Sequence, residues 1–86
     1  MKLQNGFVLK EIAGEYVVVA VDSALNLDGM ITLNETAKTM WLLLEKGADR
    51  EQLISALTEE YEVSTSLAAE AADKFIVRLQ ELGFLA

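Results

Sequence analysis

Two cations, Lys74 and Arg78, stand four residues apart, and helical spacing would set both on one flank of a single helix. Beside small and apolar residues, such a pair could line a groove receptive to an acidic peptide. Against that, Glu70 and Asp73 lie within reach of Lys74, and Glu81 within reach of Arg78, which would leave an ordinary exposed face. The remaining reactive candidates offer less. Ser23, Ser55, Ser64 and Ser66 would need an activating base, and the chain contains no His. Glu59, Glu60 and Glu62 form a carboxylate cluster, which does acid–base work only from a cleft that drives the pKa values apart. On a surface helix the same cluster is a solvated face. Asp22 and Asp28 lack the ligand spacing of a calcium loop, and no glycine pattern resembles a phosphate-binding loop. Trp41 shares helical spacing with Ala37 and Leu44, which makes it a core residue rather than a stacking platform.

Composition removes whole classes of function. The 86 residues include no Cys, His or Pro, are 52% hydrophobic, and carry a net charge of −7. Without Cys and His, a disulfide scaffold, a thiolate metal site, a zinc or haem enzyme and a Ser-His-Asp or Cys-His hydrolase are excluded within this chain. The apolar fraction is too high for a disordered chain, and the length fits one domain with a small contiguous core. Residues 1–43 hold three basic and five acidic residues, and residues 44–86 hold four and nine. The cations are scattered singly, so no patch exists to neutralise nucleic-acid phosphates. The apolar stretches Tyr16–Val21 and Met40–Leu44 fall far short of the roughly 20 residues of a spanning helix. Met1 to Lys10, interrupted by Asn5 and Gly6, does not read as a signal peptide. These features lead us to expect a cytoplasmic binding domain that is not an enzyme and uses no cofactor, nucleic acid or membrane.

The elements that would position Lys74 and Arg78 follow from periodicity, which changes near residue 33. Phe7–Ile12 and the β-branched run Tyr16–Val21 read as strands joined by a short turn at Ala13-Gly14. Residues 22–28 read as a loop and Gly29–Leu33 as a short third strand. From Asn34 the spacing is helical. Ala37, Met40, Trp41 and Leu44 share one face, Asn34 is the expected N-cap, and Gly47 the stop. A second helix starts at Asp49 with Gln52 three residues on, burying Leu53, Ile54, Leu57 and Tyr61. The third begins within Ser64–Ser66 and ends at Gly83, with Ala68, Ala72, Phe75, Ile76, Leu79 and Leu82 as its expected buried stripe. On an ideal wheel Leu67, Ala71, Lys74 and Arg78 then cluster on one flank within roughly 60°. Three strands followed by three helices make an α+β domain, winged helix-turn-helix-like, with the hairpin as a displaced wing. The third strand has neither charge nor Pro. If it lies at a sheet edge beside a helix, an extended peptide could join it there; alternatively Ile31 and Leu33 belong to a covered strand.

The stretch Gly29-Met30-Ile31-Thr32-Leu33-Asn34-Glu35-Thr36-Ala37, with Trp41-Leu42-Leu43-Leu44 and Gly47, resembles the PqqD family. The resemblance continues through Leu53, Leu57 and Tyr61 and closes with Phe75, Leu79 and Leu82-Gly83-Phe84-Leu85, so it takes in nearly the whole chain as one peptide-binding domain over residues 1–86. It implies a RiPP recognition element, where RiPPs are ribosomally made, post-translationally modified peptides. Such a domain takes the leader of a precursor peptide as an added strand on its third strand, against its third helix. It then presents the peptide to a modifying enzyme, such as a radical S-adenosylmethionine enzyme or a lasso-peptide maturation enzyme. Carried over, the groove comprises Met30, Ile31, Thr32 and Leu33 on the strand and Leu67, Ala71, Lys74 and Arg78 on the helix. If the Ile31 N–H points to the peptide, a proline there would interrupt binding. The competing readings are a winged-helix DNA-binding domain and a structural or oligomerisation module. A homodimer through the same edge is compatible with either peptide or structural use.

Overall fold

Apolar runs on either side of a turn with two left-handed positions generate the first unit, a β-hairpin. The computed structural model describes residues 1–20 and 31–85. Strand β1 spans Phe7–Ile12 and β2 spans Glu15–Ala20, paired antiparallel from Phe7 opposite Ala20 to Ile12 opposite Glu15. Only Ala13 and Gly14 separate them, at φ 53° and 84°, the positive values that a two-residue type I′ turn demands of both central residues. The glycine meets that demand without strain and Ala13 does not. Strand β3, Ile31–Leu33, pairs antiparallel with β2, placing Tyr16 opposite Leu33, Val17 opposite Thr32 and Val18 opposite Ile31. Sheet order is β1-β2-β3, so among the described residues β3 is an edge. Val21 and the expected start of the third strand, Gly29 and Met30, lie outside the described residues, as do Asp22, Ser23 and Asp28.

The helices start and stop where their capping chemistry dictates. Helix α1, Glu35–Lys46, begins at Asn34, whose side chain accepts from the Ala37 N–H at 2.8 Å. Helix α2, Arg50–Glu60, has a complete capping box: the Gln52 N–H donates to Asp49 Oδ1, and the Asp49 N–H donates to Gln52 Oε1. Helix α3, Thr65–Leu82, starts on the Ser64 hydroxyl and ends with Gly83 in the left-handed region, its N–H bonded to helix carbonyls.

The sheet lays one face on the helices. Val18, Ile31 and Leu33 join Trp41, Leu44, Leu53, Leu57, Ala72, Phe75 and Leu79 in the core cluster. Phe84, beyond α3, stacks tilted on Phe7 at 4.3 Å and edge-on against Trp41 at 6.0 Å, so it locks β1 to α1. The chain ends close this side: Leu3 bridges Leu85, and the Gln4 N–H donates to the Phe84 carbonyl at 2.8 Å. Thr39 is buried with its hydroxyl 3.0 Å from that of Tyr61, which satisfies both at the α1–α2 contact. Two expectations for α3 need correction. Ile76 is only half-buried, and Leu82 is 46% exposed although the wheel points it inward. It sits in the last turn, where the chain leaves the helix and Phe84 takes the core position instead.

Candidate functional site

The free side of β3 borders a hollow of about 780 Å³ between the sheet edge, the first turn of α1 and one flank of α3. Each border follows from a local rule. Leu33 is drawn into the core, so the strand ends there and Asn34 turns the chain into α1. That junction sets Thr36 and Ala37 along one rim, with Met40 one turn further on. On α3, burying Ala72, Phe75 and Leu79 leaves Ala71, Lys74 and Arg78 rotated toward the hollow. Tyr16 closes the hairpin side, and the Lys38 ammonium lies 4.8 Å above its ring.

Of the site residues expected from sequence, Thr32, Leu33, Ala71, Lys74 and Arg78 come together around this hollow. Ile31 is in the core one residue away, its side chain buried rather than presented. Leu67 stands a turn before Ala71 at 58% exposure and is not part of the lining. A wheel gives the angle of a residue but not its height along the helix. Met30 lies outside the described residues. Tyr16, Ala37, Met40 and Phe75 line the hollow without having been singled out. Phase alone placed Phe75 beside Ala71 and so gave a hint; the others need the packing of α1 against the sheet.

The charges sort themselves as follows. Lys74 Nζ is 2.9 Å from Glu70, one turn back, in an exposed pair of small energetic weight. Asp73 is taken instead by Arg50 of α2, with contacts of 2.6 and 3.1 Å, and this hydrogen-bonded guanidinium lowers its carboxyl below the ordinary 3.8. Arg78 has no ion-pair partner among the described residues, and Glu81 does not reach it. The hollow therefore presents one uncommitted cation and one loosely held cation on its α3 side, Glu15 and Glu35 on its hairpin and α1 sides, and an apolar floor of Leu33, Met40 and Phe75. That arrangement can hold an extended chain by its backbone, with positive charge offered along the α3 wall and negative charge on the opposite rim.

The acidic candidates lie elsewhere. Asp49 caps α2, Glu60 accepts a long 3.4 Å hydrogen bond from Thr39, and Glu59 borders a second hollow between α1 and α2. Among the described residues no three carboxylates gather as a metal site would need, and no helix is long and apolar enough to cross a membrane.

Known structures share this fold. One, "TbiB1 in Complex with the TbiA(beta) Leader Peptide", is 24% identical, with a TM-score of 0.78 over 99% of this chain and 94% of its own. Another, "Lasso peptide synthetase B1 complexed with the leader peptide", is 23% identical, with a TM-score of 0.75 over 96% of this chain and 93% of its own. At that identity the likeness establishes the fold. No curated protein matches the chain. The family model of PqqD, Coenzyme PQQ synthesis protein D, matches residues 15–85, from the start of β2 to the end of the described chain, and the protein belongs to the PqqD family.

Proposed function

We propose that this domain binds the leader of a ribosomally made precursor peptide by strand addition at β3 and presents it to a modifying enzyme, without catalysing a reaction itself. The observation that carries this reading is an uncharged edge strand opening directly onto a hollow walled by Ala71, Lys74 and Arg78. Main-chain hydrogen bonds to the edge supply affinity that is indifferent to sequence, and the hollow supplies selection. Met30, Ile31, Thr32 and Leu33 form the strand side of the site, with Leu67 at its mouth. Tethering the leader raises the effective concentration of the attached core peptide at the enzyme, so holding is sufficient for function.

Both fold relatives are described in complex with leader peptides, and one is a lasso peptide synthetase component. They support a lasso-type maturation enzyme as the partner here, ahead of a radical S-adenosylmethionine enzyme. Ribosomal precursors place this work in the cytoplasm. An empty β3 edge can also accept a second copy, so a homodimer should form in competition with peptide. A duplex would find a net charge of −7 and only singly placed cations.

Titrating isotope-labelled protein with a candidate leader peptide tests the reading. The amide signals of residues 31–34 and 71–78 should shift together and saturate at one peptide per chain. Shifts confined to β1 and α2 would place binding elsewhere and end this assignment.

A further inference from the structure

The hairpin turn fixes which main-chain groups of β3 face outward. In a two-residue hairpin the residues flanking the turn, here Ile12 and Glu15, exchange hydrogen bonds. Hydrogen-bonded and non-bonded pairs alternate along an antiparallel ladder, and the β1–β2 register runs without a bulge. Val17 therefore directs its N–H and C=O toward β1, whereas Tyr16 and Val18 direct theirs toward β3. Their partners are Leu33 and Ile31. Those two residues consequently spend their main-chain groups on β2. Thr32, opposite Val17, is left with both its N–H and its C=O on the open side. The Ile31 N–H, the candidate peptide donor in the sequence reading, is turned the wrong way.

Resting on the strand-addition reading above, we infer that Thr32 sets the register of the bound peptide and that the peptide is read at every second residue. The main-chain bonds of an added strand pass through Thr32, whichever way the peptide runs. The peptide residue opposite Thr32 points with the Thr32 side chain, away from the helices, since directly opposed residues share a face. Its two neighbours lie opposite Ile31 and Leu33, on the face those buried side chains occupy. They enter the hollow over Leu33, Met40 and Phe75, beside Lys74 and Arg78. The ligand class is an extended peptide with apolar side chains two positions apart, separated by a residue whose side chain is not read.

The test uses the full chain and twelve-residue peptides selected against it from a phage-displayed random library, with affinity read by fluorescence anisotropy. Thr32→Pro removes the outward N–H while sparing the β2 ladder, and should weaken a selected peptide at least tenfold. Thr32→Ala should stay within about twofold. N-methylating the peptide one amide at a time should alternate between strong loss and tolerance, and this scan decides the matter even if the proline variant does not fold. Thr32→Pro binding within threefold of the parent, or a scan without alternation, overturns the role of Thr32 while peptide binding stands. Failure to select any peptide overturns the strand-addition reading and this inference with it.

Discussion

The sheet ends in two edges built from opposite materials. β1 is six residues long and carries Lys10 and Glu11 side by side; Glu11 sits in register with Tyr16, on the face that looks toward the helices. Any strand added there would have to cover that carboxylate, and an inward charge is one of the ways proteins keep an edge unpaired. β3 has Ile31 and Leu33 at the equivalent inward positions, both buried, and no charge in its described length. Beyond β1 the structure offers exposed Val8 and Ile12, while beyond β3 it offers a walled hollow. Within one antiparallel sheet, the residue next in line on the inner face decides whether an edge repels another strand or receives one.

The largest effect should come from anchoring. Leu33→Ala should cost about 2–4 kcal/mol in urea unfolding, because a buried side chain leaves a cavity under the edge. Ile12→Ala at β1, 50% exposed, should stay within about 0.5 kcal/mol. Equal costs would mean the two edges are anchored alike. Next come the groove cations. Arg78→Glu should weaken peptide binding about tenfold by calorimetry, Lys74→Glu less because Glu70 already competes for its ammonium, and Lys10→Glu on β1 not at all. A matching loss from Lys10→Glu would erase the distinction between edges. Replacing both Lys10 and Glu11 with Thr should then allow β1 to pair, seen as concentration-dependent dimer in sedimentation even with β3 filled by peptide.

The smallest effect is a pH dependence at the α2–α3 contact, away from the hollow, where Arg50 ties α2 to α3 through Asp73. The folded-state pKa of Asp73 is lowered, chiefly by the hydrogen bond from Arg50, so its contribution is present above the ordinary 3.8 and is lost as pH falls through the folded value. The urea midpoints of the parent and Asp73→Asn should differ slightly at pH 7 and converge toward pH 2. A gap that persists in acid would show that the pair contributes nothing by charge.

Much of this contrast is written in local sequence. The caps Asn34, Asp49 with Gln52, and Ser64 each name their helix start, because an orphan N–H must find an oxygen within three residues. The flank of α3 that faces the hollow followed from phase, since Ala72, Phe75 and Leu79 had to be buried. Height along the helix did not follow from phase: Leu67 stands one turn before Ala71, outside the lining of the hollow. Leu82 was placed inside by angle, yet no layer lies over the last turn. The roles of Tyr16, Ala37 and Met40 depend on how α1 crosses the sheet, a tertiary fact with no local periodicity to announce it. The outward aim of Thr32 is different again: Ala13-Gly14 encodes it, but only once the pairing register is known.

Trp41 is the chain's one tryptophan, wholly buried, with its indole N–H unpaired among the described residues and Phe84 against its ring edge. Met40, its neighbour in sequence, faces the hollow. The protein thus carries an optical gauge of its own interior. Emission should be blue-shifted while Phe84 and α1 remain packed, should move red when they separate, and should barely respond to a ligand on the sheet edge. A groove variant that stops binding but keeps its blue emission has lost an address, and not its architecture.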